Sequence, residues 1–117
     1  NIFFESKNQP NSWICFDFQK HRIIPTYYQI KSFLGGPTAA HPRSWVIEVS
    51  NDNNNWINID TQNNCSYLKG SRITHKFKIN KNITNEYRYL RMVQTGKNWH
   101  NDDRLIIETF EIYGKLF

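Results

Sequence analysis

Apolar and polar residues alternate along most of this chain with a period of two. In residues 73–79 the apolar positions are the odd ones, and they alternate with Thr74, Lys76 and Lys78. Successive side chains of a β-strand point to opposite faces, so this pattern indicates strands. No window keeps the helical i, i+3, i+4, i+7 pattern for three turns. The pattern predicts strands over residues 13–18, 26–33, 45–50, 56–60, 73–79, 87–94 and 106–112.

Turn-forming residues fall between the predicted strands. Gly35, Gly36 and Pro37 interrupt one connection, and residues 51–55 form an asparagine-rich one. Seven short strands with turns at this spacing are typical of an antiparallel β-sandwich or barrel. A chain of 117 residues has the length of one domain, so we expect residues 1–117 to form a single all-β domain.

Strand parity predicts where the connecting loops lie. If successive strands reverse direction, loops 1–12, 33–44, 61–73 and 95–104 share one end of the sandwich. The short loops 19–25, 51–55 and 80–85 share the other. Because binding residues commonly lie in long loops on a rigid scaffold, we expect the first end to carry the site. Its candidate ligand-binding residues are Phe33, His41, Arg43, Arg72, Lys97, Asn98, Trp99, His100 and Arg104.

Two interpretations of Trp99 are open. It lies among polar residues, so its ring could stack on a sugar or fill a pocket of a partner protein. Alternatively, it could fold back over the end of the sandwich. For Trp13, Trp45 and Trp56, which lie in or beside strands, we expect packing in the core. Arg104 follows two aspartates, and we expect it to pair with one of them.

Composition excludes several classes of protein. The chain has 18 aromatic residues and 14 isoleucines, which a disordered chain would lack. Its net charge of +5 is not concentrated in any short basic run, so we expect no nucleic-acid partner. No apolar run approaches the roughly 20 residues that span a bilayer.

Catalytic and metal-binding motifs are also missing from the sequence. It has no G-x-S-x-G elbow, no phosphate-binding glycine loop and no C-x-x-C or H-x-x-x-H spacing. We therefore expect no enzyme activity, no metal and no cofactor. The only cysteines, Cys15 and Cys65, are 50 residues apart, and we expect both to be reduced and buried.

Several segments of the sequence resemble the discoidin, or coagulation factor five/eight type C, domain. They are the segments at residues 44–52, followed by Trp56 and Asp60, and at residues 13–18, 87–91 and 111–114. Residues 25–28 and 94–99 are most similar to the intracellular branch, found beside BTB, kelch or ubiquitin-ligase modules and in protists. In order and spacing, the resemblance covers residues 13–114.

The resemblance implies a galactose-binding-like jelly-roll sandwich of about eight strands. Only twelve residues precede the stretch matching Trp13, so the family's first strand could be missing. Secreted members join the two ends of the domain by a disulfide. Here both cysteines are internal and Phe117 ends the chain, which favours the cytoplasm over an extracellular location.

The resemblance also implies a non-catalytic binding module. Our first hypothesis is a domain that docks a protein partner within a larger protein. The alternative is a carbohydrate-binding, lectin-like module. A phospholipid-surface binder is the weakest hypothesis, because only Phe33, Leu34 and Trp99 could insert into a membrane. The sequence leaves the oligomeric state open.

Overall fold

Strands account for all the regular structure in residues 3–117, the part of the chain that the computed structural model describes. Nine strands lie in these residues: β1 (Phe4–Glu5), β2 (Trp13–Asp17), β3 (Ile23–Lys31), β4 (Trp45–Ser50), β5 (Ile57–Gln62), β6 (Thr74–Lys78), β7 (Tyr89–Gln94), β8 (Ile106–Ile107) and β9 (Thr109–Leu116). None of the segments described is a helix of the length and apolarity needed to cross a membrane.

Two antiparallel sheets form the sandwich. The four-stranded sheet has the order β2-β7-β4-β5, and the three-stranded sheet has the order β6-β3-β9. The two-residue strands β1 and β8 pair with each other. The antiparallel all-β architecture predicted from the alternation is confirmed.

The strand boundaries differ from the prediction where periodicity carries little information. Strand β1 is too short to show a period, and Glu108 divides the predicted strand 106–112 into β8 and β9. Strand β3 begins at Ile23 and runs through Pro25, although the sequence predicts a loop over residues 19–25. The register shifts between Pro25 and Tyr27, and such irregularities tolerate the missing N–H of proline.

Gly114 lies opposite Pro25 on β9. A Cβ atom at this position would collide with the carbonyl oxygen of Ile24 on the neighbouring strand. Glycine is therefore required here because the two backbones approach too closely for a side chain.

Aromatic rings fill the space between the sheets. The ring of Tyr28 stacks on Phe77 with 4.9 Å between centroids and on Phe110 with 5.7 Å. The fully buried Trp45 meets Phe77 edge-on at 5.4 Å. These contacts join β3, β6 and β9 of one sheet to β4 of the other, so large aromatic side chains provide much of the inter-sheet packing.

A buried hydrogen-bond chain also joins the two sheets. Trp45 Nε1 donates to the Tyr28 hydroxyl at 3.0 Å, and that hydroxyl donates to Asp60 Oδ2 at 2.5 Å. Burial, together with the hydrogen bond to Asp60, raises the pKa of Tyr28 far above its ordinary value. The hydroxyl therefore stays protonated, so that it donates to Asp60 while it accepts from Trp45.

Trp13 and Cys15 were wrongly assigned to the core. Both are exposed, with Trp13 57% accessible, whereas Ile14 and Phe16 point inward. Asp17 shares the outward face of β2 with Trp13 and Cys15, and this shared parity could have predicted their exposure. Trp45 and Cys65 are buried as expected.

We predict that Tyr28→Phe lowers the free energy of unfolding by about 1–3 kcal/mol, because it leaves the buried Trp45 N–H without an acceptor. Urea denaturation measures the change. The control is Tyr67→Phe, since Tyr67 is 58% exposed and its substitution should leave stability unchanged. Equal stability of Tyr28→Phe and the wild type would contradict this prediction.

Candidate functional site

Backbone hydrogen bonds join the long loops at one end of the sandwich. Trp99 N donates to His41 O at 3.1 Å, and Cys65 N donates to Arg43 O at 2.7 Å. The N-terminal loop joins through Asp103 N, which donates to Asn8 Oδ1 at 2.7 Å. The parity argument for these loops therefore agrees with the structure, although residues 1 and 2 of the predicted loop 1–12 lie outside the described residues. We call the exposed part of loops 33–44, 61–73 and 95–104 the loop-end surface.

Asn98 organises the loop between β7 and β8. Its fully buried Nδ2 donates to Asp102 Oδ1 at 2.7 Å and to Arg104 O at 2.9 Å. Its Oδ1 accepts from His100 N at 2.9 Å and from Asp102 N at 3.2 Å. All four hydrogen-bonding positions of this amide are used within the loop, so its side chain holds the loop in shape and does not face solvent.

Asp102 and Arg104 form an ion pair in the same loop. Arg104 Nη2 lies 2.9 Å from Asp102 Oδ2, as expected from the sequence. Burial alone would raise the pKa of Asp102. The hydrogen bonds from Arg104 and Asn98 outweigh burial and lower this pKa to about 2. Lys97 is paired in a similar way, with its Nζ 2.6 Å from Asp103 Oδ2.

Trp99 is half-buried, and two cationic side chains cover its ring. Arg43 Cζ lies 4.4 Å and Lys69 Nζ 4.7 Å from the ring centroid. Its Nε1 donates to the backbone oxygen of Cys65 at 3.3 Å. The ring of Trp99 is thus held against a neighbouring loop and is partly accessible. Its contact with a ligand stays a prediction.

His41 is fully buried under the loop between β3 and β4. Its Nε2 lies 3.0 Å from Gly35 O and 3.1 Å from Gly36 O, so this nitrogen carries the proton and donates. The ring of Phe33 packs on His41 at 4.7 Å and on Phe3 at 6.2 Å. His41 therefore supports the loop from inside, whereas Phe33 is half-buried at its surface.

Arg72 and His100 are exposed at the same end. Arg72 Nε lies 3.1 Å from Glu108 Oε1, and Lys31 Nζ lies 2.9 Å from Glu108 Oε2. Hydrogen bonds from Lys31 and Arg72 lower the pKa of Glu108. His100 Nδ1 donates to the backbone oxygen of Thr38 at 3.1 Å, which ties the two loops together.

Two small clefts flank the loop-end surface. Phe3, Phe33, Leu34 and Glu108 line an apolar cleft of about 280 Å³. Trp13 borders a second cleft, of about 170 Å³, with residues of the N-terminal loop. Within residues 3–117, no three His, Cys, Asp or Glu side chains converge as metal ligands would.

Comparison with known proteins identifies the family. The sequence model described as the F5/8 type C domain matches residues 1–109. The chain belongs to the F5/8 type C domain family. The segments noted in the sequence analysis resemble this same family, so the prediction of the family is confirmed.

This F5/8 type C domain also has a curated relative. It is 28% identical over 114 residues to the E3 ubiquitin-protein ligase Ufd4 of Drosophila melanogaster. The match covers 95% of this chain but only 4% of Ufd4. It agrees with the resemblance to the branch that occurs beside ubiquitin-ligase modules.

Solved structures share the fold of this F5/8 type C domain. The CBM32-5 structure from Clostridium perfringens, in complex with GalNAc-β-1,3-galactose, has a TM-score of 0.72 and 14% identity, covering 97% of this chain and 76% of its own. Chitosan-binding module 1 from the chitosanase/glucanase of Paenibacillus sp. IK-5 has a TM-score of 0.66 and 19% identity, covering 96% of this chain and 76% of its own. These likenesses confirm the galactose-binding-like jelly-roll sandwich.

The candidate ligand-binding residues predicted from the sequence of this F5/8 type C domain do not include Lys69, although parity places it at the same end. It lies 30 residues from Trp99 in the chain, and only the packing of the loops brings the two together. Trp13 was also missed as a surface residue, although strand parity could have revealed it. The nine predicted residues all lie at or beside the loop-end surface, but Asn98 and His41 have fully buried side chains.

We predict that Asn98→Asp destabilises the domain. The substitution keeps the shape of the side chain but replaces the donating NH₂ with an oxygen that faces Asp102 Oδ1 and Arg104 O. The loss of two buried hydrogen bonds should lower the free energy of unfolding by about 2 kcal/mol or more in urea denaturation. The matched control, Asn101→Asp at an exposed position of the same loop, should change stability little.

We also predict that Asp102 makes stability depend on pH. Its folded-state pKa of about 2 lies below the unfolded value of about 3.9, so the unfolded chain binds this proton more readily. The stabilisation is therefore fully present above about pH 5 and is lost as the pH falls towards 2. The melting temperature of the wild type should exceed that of Asp102→Asn at pH 7, and the gap should close as the pH is lowered.

The melting curves followed by circular dichroism from pH 7 to pH 2.5 measure this gap. Glu86→Gln, at an exposed position near the opposite end, controls for the loss of one negative charge. A gap between the wild type and Asp102→Asn that stayed constant over this range would contradict the prediction.

Proposed function

We propose that this F5/8 type C domain is a non-catalytic module that docks a protein partner through the loop-end surface. The observation that carries the proposal is the convergence of three loops around a half-buried Trp99. Arg43 and Lys69 lie over its ring, and Lys97 and His100 lie in the same loop as Trp99. Tryptophan and arginine are enriched among the residues that dominate binding energy at protein interfaces.

The arrangement of the loops supports binding by a surface that is already ordered rather than by loops that become ordered when the partner binds. The loops are fixed to each other by backbone hydrogen bonds, and Asn98 fixes the shape of residues 98–104 from within. A surface that is already ordered loses less conformational entropy when a partner binds. The relative Ufd4 is named as a ubiquitin-protein ligase, a class that acts on proteins, which also favours a protein partner.

We further propose that the domain works in the cytoplasm. Cys15 and Cys65 are both free thiols, and Cys15 is exposed on β2. Exposed free thiols persist in reducing compartments, whereas secreted domains usually pair their cysteines. The Ufd4 match supports the same location.

The test compares two tryptophans that differ in position. Trp99→Leu should weaken partner capture by about 30-fold or more, because a tryptophan hot spot contributes about 2 kcal/mol or more. His100→Ala, which removes an exposed ring from the same surface, should also reduce capture. Trp13→Leu, on the outward face of β2, should leave it unchanged. Quantitative affinity purification with each variant measures the effect, and circular dichroism confirms that each variant is folded.

Capture of the same proteins by the wild type, Trp99→Leu and His100→Ala would overturn the proposal, because the partner would then bind elsewhere. Recovery of a partner that binds all variants except Trp13→Leu would place docking on the β2 side. Either result would show that the partner does not bind at the loop-end surface.

Carbohydrate binding is the second candidate, and the exposure of Trp13 favours it. Trp13 borders the cleft that Ser6, Lys7, Gln9 and Ser12 complete, and an open indole face beside polar groups suits a sugar ring. The Clostridium perfringens neighbour was solved with a bound glycan. On a glycan array, binding that disappears with Trp13→Leu would support this candidate over docking.

A further inference from the structure

The cationic groups on Trp99 differ from the other cations at the loop-end surface. Lys97, Arg104 and Arg72 each lie within 3.1 Å of a carboxylate oxygen. In residues 3–117, neither Arg43 nor Lys69 has a carboxylate within 4.0 Å. Arg43 Nε instead donates to Asn64 Oδ1, a neutral amide, at 2.8 Å. Two positive charges therefore remain uncompensated beside one ring.

These two charges are also close to each other. Arg43 Cζ and Lys69 Nζ lie 4.4 Å and 4.7 Å from the same centroid, so they are at most 9.1 Å apart. This separation is about one Debye length at physiological ionic strength, so their fields overlap. An anion within reach of both groups is attracted by each of them.

Arg43 and Lys69 also affect which ligands can contact the ring of Trp99. A neutral sugar recognised by stacking needs a bare aromatic face, and here Arg43 and Lys69 lie over the ring. The indole N–H is engaged as well, because it donates to Cys65 O. A ligand at this position gains most by making charge-assisted hydrogen bonds to the guanidinium and the ammonium group.

From these contacts we infer that the loop-end surface selects an acidic, extended segment of its protein partner, whose carboxylates pair with Arg43 and Lys69. In an extended chain, side chains at i and i+2 lie on one side, about 7 Å apart. That spacing fits within the limit between the two cations. The inference rests on the proposed docking function and names the chemistry of the partner.

The probe for this inference is an acetylated and amidated hexaglutamate peptide, with the matching hexaglutamine peptide as the neutral control. Isothermal titration at low and at physiological salt measures both affinities. Hexaglutamate should bind the wild type, more weakly as salt increases, and hexaglutamine should not. The indole N–H resonance of Trp99 should shift during the titration with hexaglutamate.

Two double variants of equal net charge distinguish the loss of Arg43 and Lys69 from a general decrease in positive charge. Arg43→Gln with Lys69→Gln and Lys20→Gln with Lys78→Gln each reduce the net charge from +5 by two. The first pair should weaken hexaglutamate binding by about tenfold or more, since it removes two charge-assisted contacts. The second pair, on exposed residues away from the loop-end surface, should change it by less than about twofold.

Equal losses in both double variants, or equal binding of the two peptides, would overturn the inference. Binding to phosphatidylserine vesicles without binding to hexaglutamate would also overturn it, because the charge pair would then serve a membrane. Partner capture that depends on Trp99 but not on Arg43 and Lys69 would leave the docking function in place and reject only the acidic segment.

Discussion

The Tyr28 hydroxyl is the point through which the two sheets of this domain are held in one arrangement. It belongs to β3, accepts a hydrogen bond from Trp45 on β4 and donates one to Asp60 on β5. Hydrophobic burial between sheets is nondirectional and would tolerate some sliding. A buried hydroxyl with two partners tolerates much less, because any shift leaves a desolvated polar group without a partner. The chain thus combines an aromatic core with one polar connection that fixes how the sheets face each other.

The position of the loops follows from this arrangement. Arg43 comes two residues before Trp45, and Cys65 comes three residues after the end of β5. The hydrogen bond between Cys65 N and Arg43 O, and the one from Trp99 to Cys65 O, therefore form between segments whose starting points the core has already set. The positions of the side chains at the loop-end surface therefore depend on contacts in the core of the sandwich.

The alternation of residues predicted the strands and their faces because side-chain direction in a strand depends only on local backbone geometry. The same rule places Asp17, and hence Trp13, on the outward side. The prediction that Trp13 packs in the core is wrong because the size of a side chain does not determine which face of a strand it occupies. The loops are different. Whether Asn98 faces solvent or donates to Arg104 O, and whether Lys69 reaches Trp99, depends on pairings between distant segments. Such pairings cannot be derived from a local sequence pattern. The sequence therefore predicted which loops share one end of the sandwich, but not the role of each residue in them.

The self-contained hydrogen bonding of Asn98 has a consequence for how such a domain can change its specificity. Because Asn98 makes its four hydrogen bonds within residues 98–104, it fixes the shape of this loop without contributions from outward-facing side chains such as that of Asn101. Mutations at those positions can alter what the surface recognises while the loop keeps its backbone path. A lineage could therefore exchange one ligand for another by small steps, each variant remaining folded, and distantly related members could share a scaffold while binding chemically unrelated molecules.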